Sequence, residues 1–324
     1  MKAIVARDFA PLDALDWADW PEPEAKGDTI VIEAKAIGVN YPDGLLVQGL
    51  YQVKPPTPFV PGMEVAGRIV AVGPGVKTLK VGDRVAALST LGAYAERVAV
   101  AEAMAMKLPP EMDEAEACAL LTAYGTSHHA LKQRAALRPG ETLAVAGAAG
   151  ATGIAAIQIG KAMGARVIAI ASTPEKQATA LSAGADLAIG YDKLKDALKQ
   201  ATGGKGVDVA FDPVGGDAFD ALARNMAWNG RLLVIGFASG TIPQFAVNLA
   251  LVKGFAVVGV FWGTFTAREP RTYAANMAEL LGWRAAGKVK PVIEGRYPLK
   301  DAAKVLKRVM GRETTGKLIL EPGA

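Results

Sequence analysis

One cysteine, two histidines and few aromatic side chains set the first limits on this chain. Cys118 alone permits no intrachain disulfide and no multi-cysteine zinc lobe, and it fits a reducing compartment. His128 and His129 stand side by side on an expected helix, where adjacent residues do not face one another. They read as surface or partly packed histidines rather than a ligand pair. No run of about 18 apolar residues occurs, and Arg7 and Asp8 interrupt the N-terminus before a signal-length apolar stretch develops. The expectation is a soluble, cytoplasmic protein. Charge of one sign is nowhere concentrated: the net charge is +4, and Lys and Arg are scattered among acidic residues, so a nucleic-acid face is not indicated. No Gly-x-Ser-x-Gly elbow is present, which sets aside a Ser-His-Asp hydrolase.

Apolar residues make up 51% of the 324 and charged residues 21%, the balance of a globular chain long enough for two domains or one large α/β unit. Up to residue 121, short segments such as TIVIEAKAIGV, RIVAVG, DRVAAL and AYAERVAV are separated by Gly, Pro and Asp, a strand meander of antiparallel, barrel-like type. Over 122–257, strands and helices alternate. TLAVAG leads into the helix ATGIAAIQIGKAMG, followed by RVIAIA, PEKQATALSAG, DLAIGY, LKDALKQATG, VDVAFDPVG, DAFDALARNMAWNG and RLLVIG. This is the pattern of a doubly wound parallel sheet. Phe219, Leu222 and Met226 carry helical spacing, and Gly164, Gly184 and Gly230 fall where helices should stop. Residues 258–324 hold two more amphipathic helices and a closing strand, TGKLIL, expected to return to the first domain.

The strongest local signal is AGAAGATGIAAIQ at 146–158. Gly147, Gly150 and Gly153 lie three apart between a strand and a helix. There the missing side chains let backbone N–H groups and the first helical residues, Ala151 and Thr152, approach a pyrophosphate. An NAD site of this kind places an acidic residue about 20 positions on, to hold the ribose hydroxyls. This chain reads Ala171-Ser172-Thr173-Pro174-Glu175-Lys176. Ser172 can donate to a phosphate and Lys176 supplies the compensating charge, which favours NADPH, with Glu175 expected to point to solvent. Tyr191, at the end of the next strand, is placed to reach the same phosphate. Taken alone, Ser172 and Lys176 read first as a helix cap and a solvated lysine.

The glycine-rich turn, the stretch GVNYPDGLLVQGLYQVKPPTPFVPGMEVAG (38–67), the strand DVAFDPVGG (208–216), the loop IGFASG (235–240) and the ending GRETTGKLIL (311–320) together resemble the medium-chain dehydrogenase/reductase superfamily. Within it the chain is most similar to the zinc-free quinone oxidoreductases, the zeta-crystallin-like branch, over essentially its whole length. The resemblance implies a GroES-like, barrel-type catalytic domain split around an inserted Rossmann domain that binds NADPH. It also implies a homodimer joined through the Rossmann domains, with the strand near 255–261 helping to pair the subunits.

In zinc alcohol dehydrogenases of this superfamily, the turn matching Gly62-Met63-Glu64 reads Gly-His-Glu, with the His on the catalytic metal. A second ligand, a Cys, falls on Asn40, and Cys118, four residues before Thr122, matches the third position. One thiol does not make a catalytic zinc site, which needs about three protein ligands. The resemblance therefore implies that no metal is held and that the glycine framework of the cleft floor is kept.

Without zinc, hydrogen-bond donors must stabilise the negative charge that hydride transfer builds on a carbonyl oxygen. Asn40, Asp43 and Tyr51 match the N-x-x-D-x-x-x-x-x-G-x-Y pattern of this family and its enoyl reductase relatives, in which the tyrosine is read as a proton donor. Tyr51 is the expected general acid or oxyanion donor. Asn40 is the expected donor to the substrate carbonyl or the nicotinamide ribose, and Asp43 is read as bracing the loop. A phenol with an ordinary pKa of roughly 10 is a good donor and a poor base at neutral pH. Thr126, with Tyr124, is expected to line the nicotinamide pocket, and Phe261, in VVGVFWGTF (257–265), to pass near the nicotinamide amide. Phe237 is expected to cover the cofactor and Lys317 to anchor the closing strand near it, while Asp212 and Gly215 shape a strand end. Three readings follow: an NADPH-dependent quinone oxidoreductase, an enone or enoyl-thioester reductase using the same hydride chemistry, and an RNA-binding or crystallin-like role.

Overall fold

The computed structural model describes residues 1–323. It divides into two compact units, one built from Met1–Thr122 with the chain from Val292 onward, the other from Ala123–Pro291. The first unit opens with β1 (Lys2–Val5), β2 (Asp16–Asp19), β3 (Thr29–Gly38), α1 (Tyr41–Val47), β4 (Glu64–Val72), β5 (Arg84–Leu88), β6 (Arg97–Ala101), β7 (Ala105–Lys107) and α2 (Glu114–Ala119). The second unit runs α3 (Gly125–His129), β8 (Thr142–Ala146), α4 (Ala151–Ala162), β9 (Arg166–Ile170), α5 (Pro174–Ser182), β10 (Leu187–Ile189), α6 (Leu194–Ala201), β11 (Val207–Asp212), α7 (Gly216–Arg224), β12 (Met226–Val234), α8 (Asn248–Lys253), β13 (Ala256–Gly259), α9 (Trp262–Arg268) and α10 (Pro270–Ala285). The chain then closes with β14 (Ile293–Pro298), α11 (Ala302–Met310) and β15 (Lys317–Glu321).

In the first unit β14, β15, β3, β4, β5 and β7 form a sheet in that order, with β6 also paired to β3. All pairings are antiparallel except β14 with β15. β3 is central, paired to β4, β6 and β15, which is why TIVIEAKAIG is rich in β-branched residues and buried on both faces. Ile30, Ile32, Ile37, Val65, Ile69, Leu306, Leu318 and Leu320 close one core around it.

The second unit is a six-stranded parallel sheet in the order β10-β9-β8-β11-β12-β13. The chain starts in the middle at β8, winds outward to β10, then crosses back to β11 and winds the other way. The strand order therefore reverses between β8 and β11, the position where such sheets bind ligands at their carboxyl ends. Helix α4 packs on this sheet with Ile154, Ile157 and Ile159 buried, each worth about 1.5–3 kcal/mol of apolar burial.

Two expectations shift. The return to the first unit falls at 292 rather than 258. β13 pairs parallel with β12 as the sixth strand, and α10 is bound to α3 through Glu279 and His128, so 258–291 completes the second core. The helix read through DAFDALARNMAWNG stops at Arg224, and MAWNG opens β12. Asn225 ends the helix, its side-chain amide donating to the carbonyls of Ala221 and Lys195. Asn229, at φ 60°, takes the left-handed turn expected of Gly230, where the β11–β12 register shifts.

Candidate active site

Two glycines in the first unit make room for buried polar side chains. A Cβ on Gly38, the last residue of β3, would lie 1.9 Å from Glu64 Oε1, and a Cβ on Gly62, at φ 98°, would lie 2.3 Å from the Tyr94 ring. The end of β3 is therefore built to hold a carboxylate and the turn before β4 to hold a phenol.

Asn40 sits at the centre of what they form. It precedes α1 as its N-cap, and its peptide N–H donates to Asp43 Oδ2 at 2.8 Å. Its Nδ2 donates to Glu64 Oε1 at 3.0 Å and its Oδ1 accepts from Lys317 Nζ at 2.7 Å. A donor on one side and an acceptor on the other settle which way the amide points. Lys317, at the start of β15, also forms an ion pair with Glu64, and Glu64 Oε2 accepts the peptide N–H of Thr122 at 2.9 Å. Tyr94 completes the group, its hydroxyl donating to Asp43 Oδ2 at 2.9 Å. Glu64 is 0% exposed and Lys317 is 2% exposed, so each charge must be answered by the other, and Asp43, also 0% exposed, has no cation of its own among the described residues. Asn40, at 8% exposure, is the member nearest solvent, and one hydrogen of its amide remains after Glu64 is served.

Tyr51 follows α1 on a loop whose neighbours Leu50 and Val53 are exposed. Its ring leans on a small cluster of Phe59, Leu46 and Ala6. Burial raises its hydroxyl above the ordinary phenol value, and the charge of Asp43 adds to that. The phenol is held protonated at neutral pH.

In the second unit Gly147 has φ 59°, and a Cβ on Gly153 would lie 2.3 Å from the Gly147 carbonyl oxygen and 2.8 Å from Ala148 Cα. The turn closes only with glycine at both places. Gly150 is the N-cap of α4, contributes no side-chain cap, and accepts from Ile154 N–H at 2.9 Å, so the N–H groups of Ala151, Thr152 and Gly153 lie before the helical bonds begin. Tyr191 reaches this turn directly, its hydroxyl accepting the Gly147 N–H at 2.8 Å. Beyond β9, Thr173 caps α5 and accepts from Lys176 N–H at 3.3 Å; Ser172 and Glu175 are exposed. On the neighbouring strand Asp212 Oδ1 accepts from the N–H groups of Val214 and Gly215, which turns the chain after β11. Phe237 is half-buried, and its ring would lie 3.0 Å from a Cβ on Gly215. Thr126 is half-buried on α3, and Phe261 is 53% exposed at the start of α9. Tyr124 donates to Gln158 on α4 at 2.8 Å, and the same oxygen accepts from Lys290 N–H at 2.7 Å.

The histidines are packed rather than superficial. His128 Nε2 meets Glu279 at 2.8 Å and His129 stacks on Phe265, so each has its own partner. Among the described residues no group of three or more His, Cys, Asp or Glu side chains is arranged to hold a metal ion, and no helix is long and apolar enough to cross a membrane.

Two family descriptions match the chain: Alcohol dehydrogenase GroES-like domain over residues 26–110 and Zinc-binding dehydrogenase over residues 151–281. Quinone oxidoreductase of Homo sapiens is 32% identical over 327 residues, 99% of this chain and 97% of its own. The chain belongs to the medium-chain dehydrogenase/reductase superfamily, quinone oxidoreductase branch. Quinone oxidoreductase-like protein 2 of Rattus norvegicus is 37% identical over 292 residues, 89% of this chain and 83% of its own. The structure of Escherichia coli quinone oxidoreductase complexed with NADPH superposes with a TM-score of 0.93 at 30% identity, covering 99% of this chain and 100% of that one.

Within this superfamily the positions expected of metal ligands carry Asn40 and Met63, and Cys118 lies fully buried on α2. Burial, with the nearby charge of Glu64, pushes its thiol well above the ordinary value, so it is a neutral thiol. Sequence reasoning missed Tyr94 and the pairing of Glu64 with Lys317. Tyr94 lies 51 residues from Asp43 and Lys317 lies 277 from Asn40, separations at which no local pattern operates.

Proposed function

We propose that this protein is an NADPH-dependent, zinc-independent quinone oxidoreductase of the cytoplasm. The observation that carries the reading is the turn from β8 to α4: glycine at 147 by its positive φ, glycine at 153 by close approach, and a helix N-terminus of three N–H groups beyond them. That arrangement fits the pyrophosphate of a dinucleotide, and the Escherichia coli relative is complexed with NADPH. Gly147, Gly150, Ala151, Thr152 and Gly153 would hold the pyrophosphate. Ser172, Lys176 and Tyr191 would hold the 2′-phosphate, and Thr126, Phe237 and Phe261 would border the nicotinamide. When bound, the reduced nicotinamide supplies a hydride.

The chain's own residues orient the acceptor and answer its charge. Asn40 offers one amide hydrogen in a fixed direction, because Glu64 and Lys317 hold the other positions of its side chain. Lys317 touches the site through Asn40 and places the cation of its ion pair with Glu64 behind it. A fixed donor backed by a buried cation stabilises developing negative charge on an oxygen, so Asn40 and Lys317 would take the part that zinc plays in the superfamily's metal enzymes. Tyr51, held protonated, stands ready to give the proton. That last point favours a second reading, reduction of enones or enoyl thioesters, in which the carbanion formed must be protonated. Tyr51→Phe separates the two. If quinones are the acceptors, kcat changes by less than about threefold; a loss of roughly a hundredfold with 2-alkenals, within the usual range for general acid catalysis, supports the second reading.

A homodimer is part of the proposal. β13 is an edge strand with Val257 exposed, and Trp228, Val247, Leu251 and Val252 are exposed around it, an apolar edge of the sort a second copy covers.

Cofactor choice is tested by fluorescence titration with NADPH and NADH. NADPH is expected to bind more tightly, and Ser172→Asp and Lys176→Ala are each expected to weaken it about tenfold, or 1.4 kcal/mol, with NADH unaffected. Equal affinities in the unmodified protein would overturn the phosphate assignment.

A further inference from the structure

Asp43 is fully buried, and only one of its two carboxyl oxygens has partners. Oδ2 accepts from the Asn40 peptide N–H at 2.8 Å and from the Tyr94 hydroxyl at 2.9 Å, while Oδ1 is buried and meets no donor among the described residues. An ionised carboxylate spreads its charge over both oxygens, so ionisation would leave half of it unanswered in an apolar interior. The neutral acid keeps an acceptor for both donors and leaves only a hydroxyl without a partner.

The surroundings agree. Glu64 on β4 adds a like charge, and Lys317 on β15, among the described residues the one cation facing this group, is already paired with Glu64. Tyr94 before β6, Tyr51 after α1 and Cys118 on α2 are all pushed toward their protonated forms. From α11, Met310 presents its thioether over Gly44. Burial accordingly raises Asp43 to about 7, partly offset by the Asn40 N–H, Tyr94 and Lys317.

We infer that Asp43 is a positioning residue that works as the neutral acid, holding Asn40 by its peptide N–H and Tyr94 by its hydroxyl so that the Asn40 amide and Tyr51 phenol meet the acceptor in fixed places. The inference rests on the roles proposed above for Asn40 and Tyr51. When Asp43 ionises, a negative charge arises facing Tyr51 and tightens the hold on its proton. At the same time a second buried negative charge arises beside Glu64, which competes for Lys317 and so disturbs the setting of the Asn40 amide. Turnover falls as pH rises through the Asp43 transition.

The experiment compares the full-length protein with Asp43→Ala and Asp43→Asn, using NADPH with 1,4-benzoquinone and with a 2-alkenal. Asp43→Ala is expected to lower kcat more than about tenfold. Asp43→Asn, whose amide oxygen accepts from the same two donors, is expected to restore kcat to within about threefold of the unmodified protein near pH 6. The unmodified protein is expected to lose turnover above about pH 7 and Asp43→Asn to show no such inflection, with KM for NADPH moving less than about threefold in both variants. Thermal unfolding supplies a readout that needs no substrate. A carboxyl raised in the folded state contributes stability that is fully present below its unfolded value of about 4 and is lost as pH rises to its folded value, so the unmodified protein should lose stability relative to Asp43→Asn between about pH 4 and about pH 7. An Asp43→Asn variant as impaired as Asp43→Ala, or a pH dependence of unfolding identical in the unmodified protein and Asp43→Asn, would overturn the inference. Absence of any acceptor reduction by the unmodified protein would instead defeat the proposed function, and the unfolding comparison would still decide the state of Asp43.

Discussion

Lys317→Met is expected to destabilise the first unit by about 3–5 kcal/mol, because it leaves Glu64 buried and charged with no cation. Glu64 is 0% exposed and Lys317 2%, so water cannot take over the role of either partner. Glu64 would keep the Thr122 N–H and the Asn40 amide as donors, which answer part of the charge and not the whole. For a unit of this size the loss corresponds to a fall in unfolding midpoint of roughly 10 °C, read by calorimetry. Glu64→Gln combined with Lys317→Met should cost less than Lys317→Met alone, since the double variant buries no charge. A double-variant cycle measures that coupling, and additive losses would show that the pair is not what holds the cluster together. Asn40 would lose its orientation along with the lysine, so kcat should fall even under conditions where Lys317→Met remains folded.

Gly153→Val is expected to weaken NADPH binding by about a hundredfold or more, some 2.7 kcal/mol, with a smaller effect on stability. The cause is geometric. Even one Cβ at 153 meets the Gly147 carbonyl oxygen at 2.3 Å and Ala148 Cα at 2.8 Å, both backbone, so the turn itself must move. Moving it shifts the N–H groups of Ala151 and Thr152 and the Gly147 N–H that Tyr191 accepts. Isothermal titration of the variant checks this, and unchanged affinity would place the dinucleotide elsewhere.

The two units were legible to different degrees for a physical reason. In the parallel unit each strand is followed by the helix that covers it, so strand–helix alternation and the spacing of Gly147, Gly150 and Gly153 are local and readable. The errors fell where a local signal serves two structures. Met226 continues the spacing of Phe219 and Leu222 and reads as a further helical turn, yet Asn225 caps the helix and Met226 pairs with Val207 in the sheet. Nor does periodicity say which core a helix covers, so the pattern places α10 with the returning domain although it is bound to α3 in the parallel unit. At the site, Asn40, Asp43 and Tyr51 were readable because they share one short loop. The residues that set their state, Tyr94, Glu64 and Lys317, come from three separate segments. The purpose of Gly38 and Gly62 as space for Glu64 and Tyr94 appears only in three dimensions.

That arrangement gives the site its character. In the proposed reading a buried lysine and an oriented amide would do the work that zinc does in the superfamily's metal enzymes, with Asp43 holding Asn40 by its peptide N–H. The charge that must be answered during reduction is then met by groups that do not reorganise.

The central claim, hydride transfer from NADPH to a quinone with Asn40 and Lys317 in place of a metal, is tested most directly by one assay. The protein is dialysed against a strong zinc chelator, its metal content measured, and its oxidation of NADPH by 1,4-benzoquinone followed by nicotinamide absorbance. Undiminished turnover in metal-free protein, with an Asn40→Ala variant reduced more than about tenfold, is the predicted result. Turnover that disappears with the metal and returns with added zinc would contradict it.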